Sequence, residues 1–370
     1  MSFVFVGVGF MAFMAATTLA IDVGMLMTAR SQAQNAADAG ALAGAIALVF
    51  NSFTDRSAGG PAVQGAINAA RSNLVIGAAP SIGAADVNFP NDPAGQPTRV
   101  QVQVYRTTQR GNAVSTFVAS LFGVQTVDIA ATATAEASPA NAETCVAPFT
   151  IPDKWTEWQT PAWDPGDTYT AYGNKGQPLA NPDIYVPADQ SGYTGYNPDR
   201  DKGAQLVLKA GTGNNINPSF YYGLALPGNR GASDYRDSIS GCNPARLHWN
   251  DVLTAEPGNM VGPTRQGVNA LIAKDPGAYW DPSCPCVKGS QYGQSPRVKI
   301  VPLYDPEYYD LGKANGRNAS LKAANFIGFF IEGMNGGDVL GRITPVGGIV
   351  DATAGAAPAG AFPRAIRLVQ

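Results

Sequence analysis

The pattern of apolar and polar positions divides the chain sharply. From Phe3 to Ile21 there are 19 residues without a charge, and at about 1.5 Å per residue such a helix just spans a ~30 Å hydrocarbon core. The pattern predicts a transmembrane helix over residues 1–21. Beyond Asp22 the helix is expected to continue to residue 50, since Asp22 to Val49 has no Pro, is dominated by Ala and is interrupted only by Gly24, Gly40 and Gly44. Within it Ala29, Ala33, Ala37, Ala41 and Ala45 recur every fourth residue, with Ala36, Gly40 and Gly44 forming a second small row. Such rows let another helix approach closely, although Ala also favours helix for its own sake.

A polar break from Asn51 to Gly60 leads into a short helix from Ala62 to Ser72, packed by Val63, Ile67 and Ala70. Val100, Val102 and Val104 then alternate with Gln101, Gln103 and Tyr105, the period of a half-buried strand. Asn112 is placed to cap a helix whose Val114, Phe117, Val118, Leu121 and Phe122 fall at helical spacing, closed by Gly123. Val127, Ile129, Ala131, Ala133 and Ala135 alternate as a second strand. Strand, helix and strand make a small α/β unit over residues 51–140. After the linker Ser138–Ala142 the composition shifts: all five Trp, and every Tyr except Tyr105, lie beyond residue 150. Short apolar runs between Pro and Gly turns, namely Gln205–Leu208, Arg297–Leu303, Asn325–Ile331 and Ala365–Val369, predict a mostly β domain over residues 141–370. The expected fold class is α+β overall: a membrane helix with a helical extension, a small α/β unit and a β-rich domain.

Composition narrows the function. A net charge of −3 with 14% charged residues leaves no basic footprint for phosphate backbones, so no nucleic-acid partner is expected. Four cysteines, Cys145, Cys242, Cys284 and Cys286, fit two disulfides in an oxidising compartment. A Cys284–Cys286 bridge would close a tight ring across Pro285, so the two long-range pairings are preferred; four buried thiols are the other reading.

The apolar helix also has two readings. Thr18-Leu19-Ala20 is a tolerable cleavage site for a signal peptide, but no basic segment precedes the apolar run, which is long for one. Asp22 and Arg30 mark the membrane boundary. Arg30 alone votes for the following residues being inside, whereas the cysteines and the absence of Lys before Lys154 favour the bulk lying outside the cytoplasm.

The run Ala20-Ile21-Asp22-Val23-Gly24, then Ala29-Arg30, then Gln34-Asn35-Ala36-Ala37-Asp38-Ala39 and Ala41-Leu42-Ala43-Gly44-Ala45 resembles the N-terminus of TadE/TadG-like proteins of the Tad (Flp) pilus assembly system. Glu256 to Thr264 and Arg364 to Gln370 are similar to longer members of that group. The resemblance implies a bacterial inner-membrane, single-pass, pseudopilin-like or envelope-spanning component with its soluble part in the periplasm or at the cell surface. Its partners would be the lipid bilayer and other pilus or envelope proteins, reached through the N-terminal helix and the C-terminal domain, with self-assembly a further option. Some TadG proteins carry a metal site beginning Asp-x-Ser-x-Ser; Asp237-Ser238-Ile239-Ser240 has the wrong spacing, so no metal-dependent adhesion site is carried over. Met1 to Gly9 lacks the pattern for prepilin processing.

No catalytic, cofactor or metal site is expected. The single histidine, His248, has Asp251 near it but no nucleophile elbow to serve. Cys284-Pro285-Cys286 is too closely spaced for zinc, and Asn197, Asp199 and Asp201 before Gly203 depart from a calcium loop. Gly333 to Gly341 has no Lys-Ser or Lys-Thr pair for a phosphate cradle, and no carboxylate pair is marked by spacing for glycoside hydrolysis. Trp155, Trp158, Trp163, Tyr193 and Tyr196 suit either a thin β core or sugar stacking, which keeps a secreted glycan-binding adhesin as the second reading.

Overall fold

The structure, a computed structural model, describes residues 2–159, 163–211, 215–229, 231–258, 260–314 and 320–369. It forms two compact units, residues 1–138 with 366–370 and residues 139–365.

The first unit is built on α1 (Ser2–Phe50), one unbroken helix of 49 residues. Its Ala20–Phe50 stretch is long and apolar enough to cross a membrane by length and composition alone, but burial separates its two halves. Phe5, Val6, Val8, Phe10, Met11 and Phe13 are exposed, whereas Ala29, Ala33, Ala36, Ala37, Ala41 and Ala45 are buried. The turn after α1 leads into α2 (Pro61–Ser72), which begins with Pro at its first position and buries Val63, Ala66, Ile67 and Ala70. Both helices cover one face of a sheet. After β1 (Val87–Asn88), β2 (Arg99–Arg106) alternates as its valines require, with Val100, Val102 and Val104 turned into the core. β3 (Val114–Ser115) and β4 (Thr126–Val127) pair as a small ribbon, and β5 (Ile129–Pro139) runs antiparallel to β2 with Val102 opposite Ala133.

The predicted helix over 112–123 is not formed. Its residues make β3, a loop and a single 3-10 turn at Ala119–Phe122. Gly111 and Gly123 take left-handed backbone at its two ends, and three of its amides are claimed by a distant carboxylate described below. The helical spacing of its apolar residues is therefore not an amphipathic face: Phe117, Leu121 and Phe122 are 75%, 82% and 77% exposed.

In the second unit β6 (Ala142–Glu143) leads to β7 (Phe149–Pro152), α3 (Pro198–Asp201), β8 (Gln205–Ala210), β9 (Phe220–Gly223) and α4 (Gly231–Ser240). β10 (Leu247–His248) pairs with β6, and β11 (Val252–Leu253) precedes α5 (Val261–Lys274). The hairpin of β12 (Tyr279–Asp281) and β13 (Cys286–Lys288) is followed by β14 (Val298–Tyr304), α6 (Pro306–Ala314), β15 (Leu321–Asn335) and β16 (Asp338–Thr344). β15 is long enough to pair with β14 along Ala323–Phe330 and with β16 along Gly328–Asn335. The order β15, β14, β7, β9, β8, β16 thus closes back on β15 as a barrel-like sheet. Phe149, Ile151, Leu208, Val301, Leu303, Ile327, Phe329 and Val339 pack in its core, with Val268 and Leu271 of α5 and Ile239 of α4 in the same cluster. The mostly β reading of this region holds. The last strand, β17 (Arg364–Val369), joins the sheet of the first unit in the order β1, β2, β5, β17, so the run Ala365–Val369 does not belong to the barrel.

Candidate membrane-boundary site

Asp22 is the first charged residue after the uncharged span, and a carboxylate there needs either water or donors. It finds donors. Only 3% exposed, it accepts hydrogen bonds from three consecutive backbone N–H groups, of Phe117 (2.8 Å to Oδ1), Val118 (2.9 Å to Oδ2) and Ala119 (2.6 Å to Oδ2). These amides open the 3-10 turn Ala119–Phe122, so Asp22 caps that turn as an anion caps a helix start. Arg30, two turns further along α1, is exposed.

The small rows after Asp22 are filled from within the chain. A Cβ on Gly40 would meet Ala70 Cβ and Val102 Cγ1 at 3.1 Å, and one on Gly44 would meet Val100 Cγ1 at 2.7 Å. α1 therefore seats α2 and β2 directly on its Ala and Gly faces. The close approach expected of another helix is supplied by α2 of the same unit.

The cysteines pair Cys145 with Cys242 and Cys284 with Cys286. This corrects the preference for two long-range bridges. β12 and β13 pair from Tyr279–Lys288 to Asp281–Cys286, so the tight ring across Pro285 sits at the tip of an already formed hairpin.

The chemistry considered from sequence is accounted for by local structure. Asn197 accepts from the N–H groups of Asp199 and Arg200 as the cap of α3, and Asp201 pairs with Lys154 at 2.9 Å, so this segment is a capped turn. His248 Nε2 lies 3.1 Å from Asp351, which also takes Arg246 at 2.5 Å and both the hydroxyl and N–H of Thr353. The Thr353, Arg246 and His248 bonds hold the Asp351 carboxyl well below its usual range. Among the described residues no group of three His, Cys, Asp or Glu could hold a metal ion. Trp155 is buried and stacks edge-on with Trp163 and Tyr169, and Trp163 with Tyr196. Trp158 of that set is 55% exposed.

Two buried carboxyls were not singled out by sequence. Asp153 accepts from the hydroxyls of Tyr193 (2.7 Å) and Tyr185 (3.0 Å) and from the N–H of Lys154 and Tyr196; burial nevertheless pushes it up to about 6. Glu143, 2% exposed and with no partner for Oε1 among the described residues, is pushed by burial up to about 9.

Residues 2–47 match the family model described as Tad, putative Flp pilus-assembly TadE/G-like. The matched segment covers most of α1, and with it the uncharged stretch, Asp22 and both small rows. No curated protein and no solved structure matches the chain. Glu256 to Thr264 falls on the approach to α5 and its first turn, and Arg364 to Gln370 on β17; Asn259 and Gln370 lie outside the described residues.

Proposed function

We propose that the chain is a non-enzymatic component of a Tad-type pilus assembly machine in the bacterial inner membrane. α1 serves it twice: its first 21 residues as a single-pass anchor, and its second half as the spine on which the first unit is built. The observation that carries this reading is the reversal of burial along one helix at Asp22, within the segment that matches the TadE/G-like family. A helix with exposed Phe, Val and Met before that point and buried Ala after it suits lipid first and protein afterwards.

The rest of the first unit and the whole of the second follow Asp22 in the chain and lie on the periplasmic side in this reading. Two disulfides are consistent with an oxidising compartment. Protein partners would be met by the second unit, because the small rows of α1 are already occupied. Trp155, Tyr169 and Tyr196 are buried and Trp163 packs edge-on against Trp155 and Tyr196, so these rings serve the core and are not open to stack on a glycan.

Protease added to spheroplasts tests the topology. The reading predicts that the second unit is digested from outside, leaving a short membrane-bound fragment; full protection in spheroplasts, with digestion only after lysis, would reverse it.

A further inference from the structure

The loop that Asp22 holds is not part of the helical anchor, and its composition is unusual for a water-exposed turn. The 17 residues from Gly111 to Val127 contain no charge. Between β3 and β4, Phe117, Leu121, Phe122 and Val124 are 75%, 82%, 77% and 49% exposed. Lone exposed apolar residues are ordinary, but four within eight residues, in an uncharged segment, form a patch that needs covering.

From this we infer that the loop 117–124 is a second membrane contact, immersed in the interfacial layer of the bilayer that α1 enters. Its position comes first. Asp22 follows the uncharged span directly, and its bonds to Phe117, Val118 and Ala119 fix the loop at the level where α1 leaves the hydrocarbon. The exposed Ile21, Val23 and Met27 of α1 extend the apolar surface at the same level.

Backbone satisfaction comes second, because a segment entering lipid must bring its polar groups already paired. Of the nine N–H groups from Thr116 to Val124, at least seven are bonded within the unit: those of residues 117, 118 and 119 to Asp22, and those of 116, 121, 123 and 124 to carbonyls of Gln125, Val118, Ser120 and Ala119. The hydroxyls of Thr116 and Ser120 are bonded to the carbonyls of Val124 and Phe117. The flanking charges stay at the base of the loop. Arg110 pairs with Asp86 at 2.7 Å, and Asp128 accepts from the N–H and hydroxyl of Thr108. Aromatic and aliphatic side chains on a charge-free loop suit the boundary between headgroups and acyl chains, where amphipathic segments typically lie about 5–10 Å deep.

The inference rests on the anchoring of α1, and one experiment separates the two. The full chain, carrying a single spin label at Leu121→Cys or Phe122→Cys, is reconstituted into vesicles of phosphatidylcholine and phosphatidylglycerol. Its four native cysteines are paired, which leaves the new thiol to react. Both positions are exposed, so each variant checks the folding of the other. A label at Ala58→Cys, on the turn after α1 and about 40 Å of helix away from Asp22, is the reference for water. Immersion predicts that the loop labels are open to oxygen and at least about five-fold less accessible than Ala58 to a water-soluble nickel chelate. Chelate access equal to that at Ala58 overturns the inference while leaving the anchor intact. Shielding from both reagents with strong label-to-label broadening also overturns it, because a second copy of the chain would then be the cover. Failure of the chain to float with the vesicles overturns anchor and inference together.

Discussion

Gly44 of α1 and Val100 of β2 approach so closely that a methyl group on Gly44 would lie 2.7 Å from Val100 Cγ1. The helix that the sequence presents as an anchor is therefore also the innermost element of a folded unit. Gly44→Ala is expected to destabilise that unit by about 1–3 kcal/mol, since the obstacles are the Val100 side chain and, at 3.3 Å, the backbone carbonyl of Ala62 in α2. Gly24→Ala, with nothing within 4 Å, should instead be neutral or stabilising by about 0.5–1 kcal/mol. Thermal melting of both variants in the same detergent checks the contrast; equal melting temperatures would remove α1 from the core.

Asp22→Ala releases three amides 95 to 97 residues away in sequence. The expected outcome is faster hydrogen exchange confined to Phe117, Val118 and Ala119 and the 3-10 turn they open, with β2 and α2 unchanged. Asp22→Asn, which keeps one acceptor oxygen, should give an intermediate effect. Uniform exchange across the first unit would mean that Asp22 holds the whole fold and not one loop.

Glu143 makes stability depend on pH in a direction opposite to that of a salt-bridged carboxylate. Its folded value is raised from 4.5 to about 9, so between those values the folded chain keeps a proton that the unfolded chain has released. The unfolded state then binds fewer protons, and stability falls as pH rises through that window. Glu143→Gln removes the slope. The variant should match the parent near pH 4 and exceed it near pH 8, by on the order of 2–4 kcal/mol. A parent whose stability rises from pH 5 to pH 8 relative to the variant would contradict the assignment.

The two disulfides differ in how much chain they close. Cys145 and Cys242 are 97 residues apart, and replacing both with Ser is expected to cost about 3–4 kcal/mol; Cys284 and Cys286 are 2 apart, and their loss should cost no more than about 1.5 kcal/mol. Denaturant titration of the two double variants against the parent measures the difference, and the slope is expected to rise only where the long Cys145–Cys242 loop is released.

Much of the first unit was legible because period and packing agree there. Val100, Val102 and Val104 alternate and are buried in that alternation, and the Ala row at every fourth residue of α1 is buried along its length. The segment 112–123 misled because apolar spacing alone does not reveal what covers a residue. Phe117 and Leu121 fit a helix face, yet the local conformation is decided by a carboxylate some 95 residues upstream. The signal that could have found the loop was the absence of charge between Arg110 and Asp128. Barrel closure was not readable either, since it depends on β15 serving two neighbours in succession, and β17 leaves the barrel region for the first sheet without any mark in its sequence. The Cys284–Cys286 bridge is too tight on spacing alone, and the β12–β13 hairpin that presents both residues leaves no mark in that spacing.

In the proposed topology α1 before Asp22 crosses a bilayer while the same helix beyond it is a protein core. Alkaline carbonate extraction of membranes from cells expressing the full chain tests this most directly. A membrane-crossing α1 sediments with the membranes as the intact chain and is released only by detergent; recovery of the chain in the carbonate supernatant would show that α1 does not cross.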